Sequence, residues 1–344
     1  MSDHDLIVHG ANLSLATTGG IITACGPNIG GTASEEIDFR DALILPGWID
    51  AHVHFNEPGR TGWEGFTSGS RALAAGGGTT FFDMPLNSSP PVITRAAFEE
   101  KRRIGEAKSC LDFALWGGLT PDSLDQMEAM ADAGAIGFKA FMCPSGLDEF
   151  QAANPSTLRQ GMEIAARVGL PVAVHAEDPA VVEAHQLAFP AAIPDMRAWL
   201  DSRPIAAELA AIRIALDLAG ETGCDLHIVH VTCPEGITLV TEAKSRGVRV
   251  TVETCPHYLL LDDDAAIAIG SAKQVIVVAH EAIGVDADVV PFAQLAEESF
   301  DREAIGVAEE DVAFVDALVR DVVPGAGLVV AWCSCHASDR TQGV

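Results

Sequence analysis

The chain has 344 residues, 48% hydrophobic and 20% charged, the balance of a folded globular protein with room for one large α/β barrel and a small appendage. Its 49 acidic residues outnumber 21 basic ones, and the net charge of −28 repels phosphate backbones and anionic lipid, which argues against nucleic-acid and membrane partners. No run of about 18 apolar residues occurs, Met1-Ser-Asp-His-Asp5 lacks a secretory pattern, and the eight cysteines form no Cys-x-x-Cys; a cytoplasmic protein with reduced thiols is expected.

Residues 5–44 read as short β segments punctuated by glycine and asparagine: 5–10, 20–26, 36–40 and 42–46. They predict a small β domain over 1–44. From Leu43 onward, apolar runs alternate with amphipathic stretches, the pattern of parallel βα units. Strands are expected at 44–54, 79–85, 111–117, 135–142, 171–177, 225–232 and 248–254, with helices at 95–108, 157–168, 204–219 and 234–246. Seven such units in order predict an α/β fold, a TIM-like (β/α)8 barrel over 45–273.

In such a barrel the chemistry sits at the carboxyl ends of the strands. Strand alternation puts His52 and His54 on one face and Val53 on the other. A His-x-His pair alone is often merely structural, but Lys139, His175 and His230 also stand near the ends of otherwise apolar strands. Lysine is rarely buried without a partner, and burial lowers its pKa and frees a nucleophilic amine. Such an amine can take up carbon dioxide to form an anionic carbamate whose two oxygens can bridge two cations. The histidines add the neutral nitrogens that zinc-type ions prefer. Two ions roughly 3.5–4 Å apart favour hydrolysis.

The segments Pro46-Gly-Trp-Ile-Asp-Ala-His-Val-His-Phe-Asn-Glu-Pro-Gly-Arg60, Glu64–Arg71, Gly76-Gly-Gly-Thr-Thr80, Asp83-Met-Pro-Leu-Asn-Ser88, Gly137-Phe-Lys-Ala-Phe141 and Glu253-Thr-Cys-Pro-His-Tyr258 resemble the cyclic amidohydrolases, the allantoinase branch most of all. The resemblance runs from about residue 40 to 273. It implies a barrel with two divalent metal ions, zinc-type, bridged by a carboxylated lysine and a hydroxide, which opens a small cyclic amide or ureide ring such as allantoin. It matches His52 and His54 to the first-strand ligands, Lys139 to the bridging carbamate, and His175 and His230 to the second metal. It also implies a homo-oligomer.

Two positions bear on the ring. Where dihydroorotases carry an arginine for the substrate carboxylate, this chain has Asn56. Where hydantoinases and dihydropyrimidinases carry a tyrosine, it has Pro144, and its only tyrosine is Tyr258. Asn87 is a candidate substrate contact or an Asx-turn residue. Glu208 is a candidate partner for a ligand histidine, or a favourable charge in the first turn of a helix.

After Lys273 the family's Cys-x-Pro-Pro-x-Arg loop and its Ser-Asp-His-Ser strand end do not follow. Residues 274–344 hold 13 acidic residues, three arginines and no lysine, and are expected to form a divergent tail. The family's eighth-strand aspartate, which serves as catalytic base, has no match: its spacing lands near Glu303, and Asp339 lies much later. A change of reading frame just after Lys273 would account for this, and sequencing the encoding DNA across that point tests it. A defective relative without the final base, and a hydantoinase-, dihydropyrimidinase- or dihydroorotase-type enzyme, are the alternatives.

Overall fold

The computed structural model describes residues 2–188, 196–255, 258, 262–269 and 328–330. The chain divides into two compact units, Met1–Trp48 and Ile49–Val344.

In the first unit β1 (His4–Gly10), β2 (Ser14–Thr18), β3 (Ile21–Gly26) and β4 (Ala33–Phe39) form a sheet of order β3-β2-β1-β4. β2 was not expected from the sequence. Gly19 and Gly20, with φ of 61° and 76°, turn it into β3, and two successive positive φ values are what a tight hairpin requires. The strand expected at 42–46 is not formed. Instead the Asn12 carboxamide bonds both polar groups of Ile44, donating to its carbonyl and accepting from its N–H at 2.8 Å each, and Pro46 has no N–H to offer a ladder.

The second unit carries β5 (Trp48–Val53), β6 (Gly78–Asp83), β7 (Asp112–Leu115), β8 (Gly117–Gly118), β9 (Phe138–Phe141), β10 (Val172–His175), β11 (Leu226–Ile228), β12 (Val250–Thr254) and β13 (Leu328–Val330). Hydrogen bonding gives the orders β5-β6-β7 and β13-β12-β11-β10-β9-β8. β7 and β8 are two pieces of one strand broken at Trp116, the first parallel to β6 and the second to β9. Strand therefore follows strand in chain order from β5 to β13. A ladder between β13 and β5 is not among the described pairings.

β13 lies within the expected tail, yet it runs parallel to β12 with Val252, Glu253 and Thr254 opposite Leu328, Val329 and Val330. Glu303 and Asp339 lie outside the described residues.

The helices close to expectation are α2 (Arg95–Lys108), α4 (Pro155–Val168), α7 (Ile205–Thr222) and α8 (Pro234–Ser245); α1 (Phe66–Ala75), α3 (Met127–Asp132), α5 (Pro179–Ala188) and α6 (Met196–Asp201) complete those used here. α4 starts two residues early because Asn154 caps it, accepting from Thr157 N at 3.0 Å ahead of Pro155. Its buried residues Leu158, Gly161, Met162 and Ala165 follow the helical period. Leu158, Met162 and Ala165 join Phe138, Val172, Val174 and residues of α7 in one core between strands and helices. A second cluster of Met84, Leu86, Trp116, Phe150, Ala173 and Val229 is separate from it. Gly137 belongs to this packing: a Cβ there would meet the Trp116 ring at 2.3 Å.

Candidate metal centre

Alternation along β5 puts Val53 into the strand–helix core, so His52 and His54 face the other way. Their ring centroids are 5.2 Å apart, and His52 lies 5.7 Å from His230. His175, at the end of β10, stacks on Phe141 at 4.6 Å, and its Nδ1 is 3.0 Å from His230 Nε2. His230 follows β11 with φ of 39°, a left-handed backbone that swings its ring toward His175. Sequence reasoning took 225–232 as one strand, whereas the ladder ends at Ile228.

Lys139 on β9 is 1% exposed, and its Nζ has no hydrogen-bond partner among the described residues. The amine lies 4.9 Å from the Phe141 ring centroid. Burial brings its pKa down to about 7, against the opposing charge of Glu253. His52, His54, His175 and His230 are all held below the ordinary histidine value, first by burial and further by the Lys139 charge. The five residues expected to act together are thus brought together, with four neutral rings around one unpartnered amine.

Their supports are mostly residues the sequence did not single out. His54 Nδ1 lies 3.1 Å from the Leu86 carbonyl, which can only accept, so the His54 ring carries its proton there and leaves Nε2 bare. His52 Nδ1 contacts Glu253 Oε1, and the same carboxylate's Oε2 is 3.1 Å from His227 Nε2. Asp50 Oδ1 accepts from His52 N at 3.0 Å; burial raises its carboxyl well above the ordinary range.

Beside His175, Glu177 Oε2 accepts from Cys143 Sγ at 3.1 Å and from Arg203 at 2.5 Å. Burial favours its neutral form, but the His175 imidazole at 3.7 Å and the Arg203 charge overcome it and hold the carboxyl down to about 2. Burial and that carboxylate push the Cys143 thiol up to about 12, so it stays a protonated donor. Cys143, His175 and Glu177 bring ligand atoms within 4.8 Å of one another, but the guanidinium already neutralises this corner.

Among the described residues Glu208 bonds no histidine. In the first turn of α7 it accepts from Thr232 N at 3.0 Å and Thr232 Oγ at 2.6 Å, holding the loop that follows His230. Asn87 is half-buried, and its carbonyl accepts from Arg60 at 2.7 Å. Arg60 also reaches Glu149 at 2.8 Å, joining the loops that follow β5, β6 and β9. Asn56 is fully buried, and neither of its carboxamide atoms has a hydrogen-bond partner among the described residues. Asn56 stands two residues after His54, past the end of β5.

No helix among the described residues is long and apolar enough to cross a membrane. Cys25, Cys110, Cys143, Cys224 and Cys233 form no disulfide among the described residues.

The chain is 51% identical over 283 residues to the allantoinase of Rubrobacter xylanophilus and 48% identical over 278 residues to that of Deinococcus radiodurans. These alignments take in 80% and 78% of this chain but 62% of each relative, so the chain spans about 62% of their length. Among solved structures, the L-hydantoinase (dihydropyrimidinase) of Arthrobacter aurescens superimposes with a TM-score of 0.74 at 31% identity, over 83% of this chain and 68% of that one. A D-hydantoinase gives 0.68 at 27% identity, over 82% and 67%. The family model described as "Amidohydrolase family" matches residues 43–336, past Lys273 and across β13. With that match over most of its length, the chain belongs to the amidohydrolase family.

Proposed function

We propose that this chain is a metal-dependent cyclic amidohydrolase that opens a cyclic ureide ring, converting allantoin to allantoate. The observation that carries the reading is the meeting of His52, His54, His175 and His230 around the buried, unpartnered Nζ of Lys139. Burial without a partner is costly for an amine, and a site that keeps one there gains by giving it something to bind or become.

The donor set fits two divalent ions of the zinc type. His52 and His54 would hold one, His175 and His230 the other, and Lys139 as its carbamate would bridge them. Such ions supply Lewis-acid activation of water and of the ring carbonyl. The chain's own part is to prepare the ligands. With a pKa near 7, Lys139 is partly the free amine at neutral pH, and only that form adds carbon dioxide. In that step an N–C bond forms and the amine loses one proton to solvent, leaving an anion among four neutral rings. Their neutrality keeps lone pairs available for cations. Asn56 offers a donor and an acceptor to the C=O and N–H groups of a ureide, which a carboxylate partner would not match.

The preference for allantoin rests on the relatives named allantoinase and on Pro144 and Asn56 standing where other ring openers carry tyrosine and arginine. β13 fits the eighth strand of a closed barrel. The absence of the family's motifs after Lys273 favours, as a second reading, a relative that keeps the metal centre without turnover.

The test is to load purified protein with zinc and assay allantoin, hydantoin, dihydrouracil and dihydroorotate alongside metal analysis. Fastest turnover of allantoin with about two ions per chain supports the proposal. Metal without turnover of any ring supports the second reading, and no bound metal overturns both.

A further inference from the structure

We infer that Glu253 is a positioning residue: its carboxylate fixes the ring proton of His52 on Nδ1 and leaves Nε2 as the electron pair that faces a cation. The metal-centre reading decides what Nε2 binds, and the location of the proton stands apart from it.

Glu253, on β12, is 1% exposed, and each of its oxygens is committed to a different ring. Oε1 contacts Nδ1 of His52, 201 residues away in sequence, and Oε2 lies 3.1 Å from Nε2 of His227 on β11. Of the carboxyl group and the two imidazoles it touches, the carboxyl is the strongest acid, so it is the ionised partner between two ring nitrogens. An ionised carboxylate only accepts, so both facing nitrogens must carry hydrogens. A neutral imidazole carries one ring hydrogen, so with that proton on Nδ1 the Nε2 of His52 is bare.

His227 is the second half of the device. Its Nδ1 lies 2.8 Å from Thr251 Oγ, its partner in the ladder between β11 and β12, and a hydroxyl can give or take. The ring is therefore braced at both nitrogens, and its hydrogen bond keeps the carboxylate from swinging away from His52. Glu253 is also the first opposing charge acting on Lys139, although the Lys139 Nζ makes no hydrogen bond among the described residues.

The test uses the full chain, wild type and the variants Glu253→Gln and Glu253→Met, with His52 assigned by comparison with His52→Asn. Long-range 1H–15N NMR on metal-free protein reads the tautomer, and zinc titration reads the affinity. Wild-type His52 is expected as the Nδ1–H form. Glu253→Met should move the proton to Nε2 or to a mixture and weaken zinc binding roughly 10–100-fold, as loss of a partner to a ligand histidine does. Glu253→Gln, which keeps an amide oxygen for His52, should retain more of both.

An Nε2–H tautomer in the wild type overturns the inference, and this holds even where the Met variant fails to fold. Unchanged tautomer and affinity in Glu253→Met overturn it as well. Wild-type protein that shows the Nδ1–H form but takes up no zinc sinks the metal-centre reading while the proton assignment stands.

Discussion

Lys101 and Asp83 form an ion pair with no solvent exposure, Nζ to Oδ2 at 3.0 Å, beside the backbone that carries His54. The same Nζ donates to the carbonyls of Phe55 at 3.1 Å and Met84 at 3.2 Å, while Asp83 Oδ1 accepts from Phe55 N at 2.9 Å. One charge from α2 and one from β6 therefore clamp the residue after the second histidine. Lys101→Met should destabilise the fold by about 3–5 kcal/mol, because Asp83 is left buried without its counter-charge. Lys101→Met with Asp83→Leu should recover much of that, as urea unfolding of the two variants will show.

Asp83 also sets a pH dependence. Burial raises its carboxyl to about 6 despite Lys101, against an ordinary 3.8. A raised carboxyl binds its proton more tightly when folded, so between 3.8 and about 6 the unfolded chain carries fewer protons. Its contribution to stability is full below 3.8 and is lost as pH rises through about 6. Asp83→Asn should remove this slope, so the gap in unfolding free energy between wild type and variant should change between pH 4 and pH 7 in favour of the variant.

Lys139→Met should separate stability from function. Removing a buried amine without a partner should stabilise the metal-free protein by about 1–3 kcal/mol, while metal content falls sharply. Thermal melts in chelator and metal analysis of the same samples check both halves. A variant less stable than wild type would mean that the amine has a partner in solution.

Rebuilding the centre should need carbon dioxide. Chelated protein reloaded with zinc in degassed buffer is expected to regain bound metal slowly, and added bicarbonate should restore it. With 13C-bicarbonate a carbamate carbon signal should appear in wild type and be missing from Lys139→Met.

Asn56→Leu should raise the stability of the metal-free protein by about 1–3 kcal/mol, since it replaces an unpartnered buried amide with an apolar group of similar size. Metal content should hold, and KM for allantoin should rise at least about tenfold, the loss of roughly one hydrogen bond. An unchanged KM would remove Asn56 from substrate recognition.

Much of the fold was legible because βα units announce themselves by apolar runs alternating with amphipathic ones. Lys139, His175 and His230 stood out for a related reason: each is polar where its strand is otherwise apolar. The residues that were missed depend on partners far off in sequence. Glu253 looked like one letter of a motif until β12 brought it to His52. Lys101 read as a charge on an amphipathic helix, although it falls four residues after Ala97 and four before Gly105, on the buried face. β2 was hidden in a stretch of small and hydroxylated residues, and the extended chain at 42–46 looked like a strand because only Asn12 says otherwise. β13 fell inside the expected divergent tail, since spacing cannot foresee how much chain intervenes before a strand returns to its sheet.

His230 is the one non-glycine residue with positive φ among the described residues. A left-handed backbone costs a branched-ring residue about 1–2 kcal/mol, and glycine would sit there at no such cost. The position therefore works as a gauge of purpose. Glycine at 230 would fold without that cost, so fold stability alone does not account for an imidazole at this position.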